Sequence, residues 1–455
     1  MPRKQTKRMI KQLRIGLYFL LSISISIQAQ HTFSIKEAQE YGLKNNREMK
    51  NSNIEVAIAS KQMKETISLG LPQVNAEGQW QKFLTIPTTL VPLGTFSGGG
   101  ETSTGSNLYA EMQFGLPHTT SVSVTASQLL FNGSYIVGLK AAKSFMSFSI
   151  LARDLTENQI KDSIATAYFN VLLVQENTKF LKSIVTVHTN IVKEISAQHE
   201  AGFVEDLEVD RMALVLSKME MQYANMYRKH EIAEAYLKLM IGIPLSENIL
   251  LSDSLPQLLE SSTIFKIEES NIQQRVEYKM AEMKVTLKKL DLRRYQTDKL
   301  PSITAFGSVN NTSMGEEFEA FDRLSTWYPS QMIGLKITFP IFDGLGGAAR
   351  IQKAKLVWEQ AKNDKIQIEE SLKLAHLSAQ SAFLNSMSDY NHQENNLKLA
   401  KKIYDKTLAK YREGLVSSLE LSQAGTDYLE SNTDFSTSIY NLLITNQNYQ
   451  RSLGK

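Results

Sequence analysis

Two long stretches of the chain repeat apolar residues at helical spacing. Residues 118–243 and 341–455 contain no proline, which would break a helix interior at a cost of about 3 kcal/mol. Apolar side chains recur there every three or four residues, as at Phe180, Ile184, Val187, Ile191 and Ile195, and at Ile368, Leu372, Ala375, Ala379 and Ala382. Such spacing is typical of a coiled-coil seam, so the pattern predicts two long helices.

Shorter segments alternate with a period of two, which predicts strands. The alternating apolar positions are Val74, Ala76, Gly78 and Trp80, then Val122, Val124 and Ala126, then Ile333, Leu335, Ile337, Phe339 and Ile341. Small or polar residues such as Gly334, Lys336 and Thr338 stand between the last group. Each predicted strand therefore has one apolar face.

The chain contains two copies of one structural unit in tandem. Gly202 and Gly414 follow the two long helices, and Gly242 and Gly454 follow the two shorter ones at the same separation in the sequence. Residues 130–133 are echoed by 341–344, and residues 71–74 by 300–303. Each copy predicts a helix, two strands, a long helix, a glycine turn and a shorter helix. We expect repeats at 30–244 and 267–455, with a linker at 245–266.

The first predicted helix begins at a capping box formed by Ser34 and Glu37 and continues to about Gly70. Between the paired strands lie segments with turn-forming and acidic residues, at 97–101 and 315–322. We expect these two segments to be exposed loops.

Residues 1–29 resemble a secretory signal peptide, because six basic residues precede an uncharged apolar run of about 13 residues. The run is too short to span a membrane, and no run of 18 apolar residues follows it, so we expect no transmembrane helix. Cleavage would change the formal charge from +3 to −3, and no basic stripe with interleaved aromatics would remain. A nucleic-acid partner is therefore not expected, and the absence of cysteine excludes disulfides and a lipid anchor on cysteine.

Four strands with an apolar outer face cannot close a barrel around a pore, and lipid does not tolerate an open sheet edge. Three chains would supply 12 strands, which lies within the range of outer-membrane barrels. The sequence therefore favours an oligomeric membrane channel.

Over its mature length the chain resembles the TolC family of outer-membrane efflux proteins. The matching segments are 34–38, 43–46, 71–72, 342–344 and 411–416. The resemblance implies a mainly α fold with a membrane β-barrel portion, in which a homotrimer forms a 12-stranded barrel that continues into a long periplasmic α-helical barrel. It also implies the cell outer membrane as location, with a periplasmic adaptor and an inner-membrane transporter as partners.

The resemblance implies that the two glycine turns form a periplasmic tip where the adaptor docks, although each could simply be a helix hairpin. The predicted contact residues are Ala201, Gly202, Phe203, Val204, Glu413, Gly414, Leu415 and Val416. It further implies that Glu208, Glu420 and Tyr411 constrict the tip. Glu420 could instead belong to a capping box with Ser417, and Tyr411 could be an ordinary surface tyrosine. Arg211 and Gln423 stand where well-studied members often carry a second acid.

No catalytic, metal or cofactor motif is found, and we expect none of these functions. The seven histidines are scattered, and a phosphate-binding glycine loop is absent. The sequence predicts the passive exit channel of a tripartite efflux pump. The alternatives are the duct of a type I protein secretion system, or a trimeric periplasmic coiled-coil structural protein.

Overall fold

The structure, a computed structural model, describes residues 31–92, 109–261, 270–318 and 326–454. The predicted signal peptide, the predicted loop at 97–101 and parts of the second loop and the linker lie outside these residues. The chain divides into two compact units. We call Met1–Asn53, Arg153–Val276 and Glu370–Lys455 the helical unit, and Ile54–Ala152 and Glu277–Glu369 the sheet unit.

Both halves of the chain contain the predicted order of elements. The helices are α1 (Ile35–Asn45), α2 (Arg47–Ser68), α3 (Gly133–Glu200), α4 (Asp206–Ile241), α5 (Leu255–Ser261), α6 (Val276–Thr297), α7 (Gly346–Arg412) and α8 (Ser418–Ser452). The strands are β1 (His31–Phe33), β2 (Gln73–Lys82), β3 (Thr88–Pro92), β4 (Tyr109–Gln113), β5 (His118–Phe131), β6 (Ile249–Leu251), β7 (Ser302–Gly315) and β8 (Trp327–Thr338). The two long predicted helices are α3 and α7, of 68 and 67 residues.

The first predicted helix is interrupted at Asn46, which differs from the expectation of one helix to about Gly70. The Asn46 side-chain oxygen accepts from the backbone N–H groups of Glu48 and Met49, at 2.8 and 3.2 Å, and so caps the start of α2. Its amide nitrogen donates to the Met240 carbonyl at 2.7 Å. The capping box predicted at Ser34 is present in full at the start of α1.

The helical unit is held by apolar packing among its helices. Ile164, Tyr168 and Leu172 of α3 are buried together with Leu237 and Ile241 of α4. The Tyr168 hydroxyl donates to the Phe33 carbonyl at 2.9 Å, which ties strand β1 to this core.

The predicted linker contains regular structure in the part that is described. Strand β6 pairs in parallel with β1, and helix α5 follows it. Neither element has a clear sequence signal, because each is short and depends on partners far away in the chain.

The sheet unit contains a four-stranded antiparallel sheet in the order β2-β5-β7-β8. Strands β3 and β4, which lie between β2 and β5 along the chain, pair with each other as a separate two-stranded ladder. The repeat did not predict this ladder. The last predicted strand ends at Thr338, so Phe339 and Ile341 lie beyond it.

No transmembrane helix was expected, but α3 is long and apolar enough to cross a membrane by length and composition alone. The apolar window that meets this criterion is not buried within the chain. Such a window suits a membrane helix, but it also suits a helix packed against other helices.

Candidate functional site

The four-stranded sheet has one mainly apolar face and one mainly polar face. The register aligns Val124 of β5 with Ala76 on one side and Val309 on the other. The apolar face carries Val74, Ala76, Gly78, Trp80, Val122, Val124, Ala126, Ala305, Gly307, Val309, Ile333 and Leu335, together with the polar residues Thr120, Asn311, Ser313 and Gln331. The opposite face consists mainly of Asn75, Glu77, Gln79, Ser121, Ser123, Thr125, Ser308, Asn310, Thr312, Ser330 and Lys336.

Two glycines confirm which side chains share a face. A Cβ on Gly307 would lie 3.6 Å from the Ile333 side chain on the apolar face. A Cβ on Gly334 would lie 2.8 Å from the Phe306 ring on the polar face. The Phe306 ring therefore covers the gap that Gly334 leaves, as aromatic residues do beside strand glycines.

Two tryptophans mark one edge of the apolar face. Trp80 pairs with Thr120, Thr120 with Ser313, and Ser313 with Trp327, so both tryptophans stand in one row across the sheet. The Trp80 ring also contacts Phe318, with ring centroids 5.4 Å apart. Tryptophan is enriched where apolar surface meets water at a membrane boundary.

In the helical unit, both glycine turns have the same backbone geometry. Gly202 has φ of 78° and Gly414 has φ of 72°. The N–H groups of Gly202 and Phe203 donate to the carbonyls of His199 and Gln198, each at 2.9 Å. This is the Schellman arrangement that ends a helix with a left-handed residue.

The second turn repeats these bonds at the equivalent residues of the second copy. Gly414 donates to Tyr411 at 3.0 Å, and Leu415 donates to Lys410 at 2.9 Å. The duplication seen in the sequence therefore extends to individual hydrogen bonds of the two turns.

Each turn exposes two apolar side chains at equivalent positions. Phe203 is 83% exposed and Leu415 is 68% exposed. One turn further on, Leu207 and Leu419 are also exposed, and they stand at the same distance along the chain from Gly202 and Gly414 respectively. Leu207 and Leu419 were not among the predicted contact residues, although the repeat spacing that relates Gly202 to Gly414 also relates these two leucines.

The remaining predicted contact residues differ in how exposed they are. Ala201 and Glu413 are exposed, which suits a contact surface. Val204 packs against the apolar cluster beneath the turns, and Val416 is half-buried. The exposed surface at the two turns is therefore formed chiefly by Phe203, Leu415 and their neighbours.

The structure brings Glu208 and Tyr411 near one another but treats the two predicted acids differently. Burial raises the pKa of the Tyr411 phenol, and the Glu208 carboxylate raises it further. Arg211 donates to Glu208 at 3.1 Å, so a cation offsets this acid.

Glu420 lies at the start of α8, where the Ser417 hydroxyl accepts from its backbone N–H at 3.3 Å. The Ser417 side chain thus caps α8, whereas the reciprocal bond from the Glu420 carboxylate, seen at Ser34, is not part of this cap. The Glu420 carboxylate is exposed at the side of the second turn.

The α3–α4 hairpin and the α7–α8 hairpin pack against each other beneath the two turns. Ile191 of α3, Met212 of α4, Tyr404 of α7 and Leu421 of α8 form one buried cluster. The two turns are therefore held as parts of one packed end of the helical unit.

No protein-family model matches the chain, and no curated protein matches it. Solved outer-membrane channels do match. The open-state MtrE channel of Neisseria gonorrhoeae is 18% identical with a TM-score of 0.70, over 92% of this chain and 88% of that one. The CmeC channel of Campylobacter jejuni is 18% identical with a TM-score of 0.68, over 92% and 85%.

The outer membrane protein VceC of Vibrio cholerae is 13% identical with a TM-score of 0.68, over 92% of this chain and 96% of that one. At such identities the likeness concerns the fold. The chain has the fold of these TolC-like outer-membrane channels, which confirms the predicted fold class.

Proposed function

We propose that the chain is one subunit of a homotrimeric outer-membrane exit channel that conducts small molecules passively out of the cell. A periplasmic adaptor and an inner-membrane transporter would supply the substrate and the energy. The observation that carries this proposal is the four-stranded sheet with one apolar face and one polar face. The likeness to solved channels supports a transport function rather than an enzymatic one.

The sheet is incomplete for a membrane setting. Strands β2 and β8 stand at its two ends within the described residues, so each has a free edge there. Because an open edge is not tolerated in lipid, the free edges favour pairing with other copies. Three copies would give 12 strands with the apolar face toward lipid and the polar face toward a water-filled lumen.

The height of the apolar face fits a bilayer. Along β7 it extends from the tryptophan row at Ser313 to Ile303, which pairs with Ile337. Ten residues at about 3.3 Å each, tilted by about 40° as in known barrels, give a band about 25 Å tall. Membrane barrels of this type have an apolar band of about that height.

The long helices support a periplasmic extension. Helix α3 has 68 residues, which at about 1.5 Å per residue gives a length of about 100 Å. Its neighbour α4 exposes an apolar stripe at Leu214, Met221, Ile232 and Leu239. Contact with the helices of another copy would cover such a stripe.

The exposed pairs at the turns support adaptor docking. Phe203 and Leu207 in one copy, and Leu415 and Leu419 in the other, present two equivalent apolar contacts at one end of the helical unit. Threefold symmetry would then give six similar contacts around a trimer. Glu420 would contribute more negative charge to this end than Glu208, which Arg211 offsets.

Gene deletion tests this function directly. We expect accumulation of at least one class of toxic small molecules to rise several-fold, with no protein missing from the secretome. Loss of a secreted protein without altered accumulation would favour the type I secretion alternative. If neither changed, and the protein were extracted without detergent as a periplasmic trimer, the channel proposal would be wrong.

Rescue of the deletion strain tests adaptor docking. The wild-type chain should restore efflux, whereas the Phe203→Asp and Leu415→Asp double variant should not, because charges would replace the apolar contacts. The matched control is Phe203→Leu with Leu415→Phe, which keeps both positions apolar and should restore efflux. Both variants should reach the outer membrane at wild-type levels.

A further inference from the structure

Among the histidines whose burial the structure describes in the helical unit, one is entirely buried. His188 of α3 is 0% exposed, and neither ring nitrogen has a hydrogen-bond partner among the described residues. A neutral imidazole carries one donor and one acceptor, and a buried polar group without a partner costs about 1–3 kcal/mol. His188 is therefore an unfavourable residue at this position unless it has another role.

His188 lies where the two helix hairpins meet. Its ring centroid is 6.5 Å from that of Tyr404 on α7. A Cβ on Gly425 of α8 would lie 3.5 Å from the imidazole Nε2. The first fully buried member of the apolar cluster beneath the two turns is Ile191, one helical turn further along α3. The imidazole is thus enclosed between the α3–α4 hairpin and the α7–α8 hairpin.

The repeat shows that this site does not require a polar residue. Ala400 precedes Gly414 in the second copy by the same interval as His188 precedes Gly202 in the first, and Ala400 is also buried. Alanine fills that place in α7 without an unpaired polar atom.

No group described around His188 compensates a positive charge. Burial raises the pKa of the neighbouring Tyr404 phenol to about 12, so this group is neutral, and its hydroxyl has no hydrogen-bond partner there. Tyr428 of α8 stacks on Tyr404, with centroids 5.4 Å apart, and burial raises its pKa as well. The nearby Asp405 of α7 is engaged by Lys401 at 3.0 Å.

Among the described residues, helices α4 and α3 offer His188 no free carboxylate either. On α4 the buried side chains toward this end are Met212 and Met219, which are uncharged. On α3 itself, Glu194 lies closer to the turn and pairs with Arg412 of α7 at 3.8 Å. An imidazolium at position 188 would therefore be buried without a counter-ion.

We propose that His188 makes the contact between the two hairpins acid-sensitive, so that protonation of the imidazole separates α3 from α7 and α8. As a regulatory device of the channel end, this inference rests on the proposed function. The neutral imidazole is compatible with the packed arrangement, whereas the imidazolium is stable only when water reaches it.

The direction and range of the pH effect follow from burial. Burial lowers the pKa of His188 from 6.5 to about 4 in the packed arrangement. The separated arrangement binds the proton more readily, so acid favours it. Packing is fully favoured above about pH 6.5, and the ratio of separated to packed chains should rise by up to about tenfold per unit of pH lost down to about pH 4.

The distance between the hairpins can be measured directly because the chain contains no cysteine. Spin labels attached through Lys193→Cys on α3 and Thr426→Cys on α8 occupy exposed positions on the two hairpins. Detergent-solubilised full-length protein, with labelled chains diluted among unlabelled ones, is compared by pulsed electron resonance from about pH 7.5 to about pH 4.5. We expect a longer distance to appear as the pH falls, with a midpoint inside the range given above.

Variants identify the responsible group. His188→Phe removes the titrating group and both unpaired nitrogens, and His188→Gln removes the titration while keeping a polar side chain. Both should keep the short distance throughout the pH range. His392→Gln, which changes an exposed histidine of α7, should leave the transition as in wild type.

An unchanged distance in wild type, or a transition that persists with the same midpoint in both His188 variants, would overturn the proposal. If one variant failed to fold, the other would still decide. The readout is independent of conduction, so a chain that formed no pore would refute the proposed function and leave the hairpin measurement to judge the switch.

Discussion

Gly425 lies in the interior of helix α8, where glycine costs about 1 kcal/mol relative to alanine. It is buried against His188 and Tyr404, and a Cβ would meet both rings at 3.5 Å. That distance is ordinary van der Waals contact, so the site has room for one methyl group and for nothing larger.

We therefore expect Gly425→Ala to stabilise the protein by about 0.5–1 kcal/mol, seen as a higher melting temperature. Gly42→Ala is the matched comparison, because Gly42 is also a buried helix glycine. There a Cβ would overlap Cδ1 of Ile164, which is 0% exposed and packed on all sides, so we expect destabilisation. Equal melting temperatures for the two variants would contradict this account.

The difference between these glycines and the four at helix ends explains what the sequence could predict. The helix-end glycines all have positive φ: Gly202, Gly242, Gly414 and Gly454. Their role follows from local chemistry and from the repeat, so it was predictable. The role of Gly425 was not, because His188 and Tyr404 reach it from other helices.

Among the elements, the two helices that follow the turns begin differently. At α8 the Ser417 side chain accepts from the Glu420 backbone N–H. At α4 the equivalent position is Glu205, whose side chain makes no capping bond. One of the two equivalent hairpins therefore has a capped helix start and the other does not.

Exchanging these caps should change local stability in opposite directions. Ser417→Ala should loosen the first turn of α8 by about 1 kcal/mol, whereas Glu205→Ser should strengthen that of α4 by a similar amount. Amide hydrogen exchange of the first-turn residues reports each change separately. Faster exchange at α4 after Glu205→Ser would show that Glu205 stabilises the turn in another way.

Long periodic helices could be predicted from the sequence, whereas elements that depend on contacts with distant residues could not. Helix α3 spans Gly133–Glu200 and ends just before Gly202, where the repeat predicted its end, because its pattern persists over many turns. The break at Asn46 depends on the Met240 carbonyl, which lies far away in the sequence, and no local pattern encodes it. The short strands β1 and β6 likewise form only because they pair with each other.

For the whole molecule, the duplication and the two-faced sheet were visible in the sequence, and both limit what the assembly can be. The pairing register was not visible, yet it places the two tryptophans in one row and keeps the faces consistent across four strands. The two copies are unequal where function is expected: Glu208 is paired with Arg211, Glu420 caps no helix start, and His188 is buried where the second copy has alanine. A sixfold arrangement of hairpins would therefore be approximate, with the His188 contact as its acid-sensitive part.

The apolar face of the sheet can be tested with a single charged side chain. Ile333 is 91% exposed in the single chain and pairs with Gly307, midway between the tryptophan row and Ile303. If this face meets lipid, Ile333→Lys places a charge near the bilayer midplane, at a cost of about 2–4 kcal/mol per chain. Ser330→Lys is the matched control, since it puts the same side chain on the polar face of the same strand. We expect Ile333→Lys to reduce heat-modifiable trimer in outer-membrane fractions several-fold and Ser330→Lys to leave it unchanged. Because the two lysines lie on opposite faces of one strand, three residues apart, equal trimer yields would mean that the apolar face does not meet lipid.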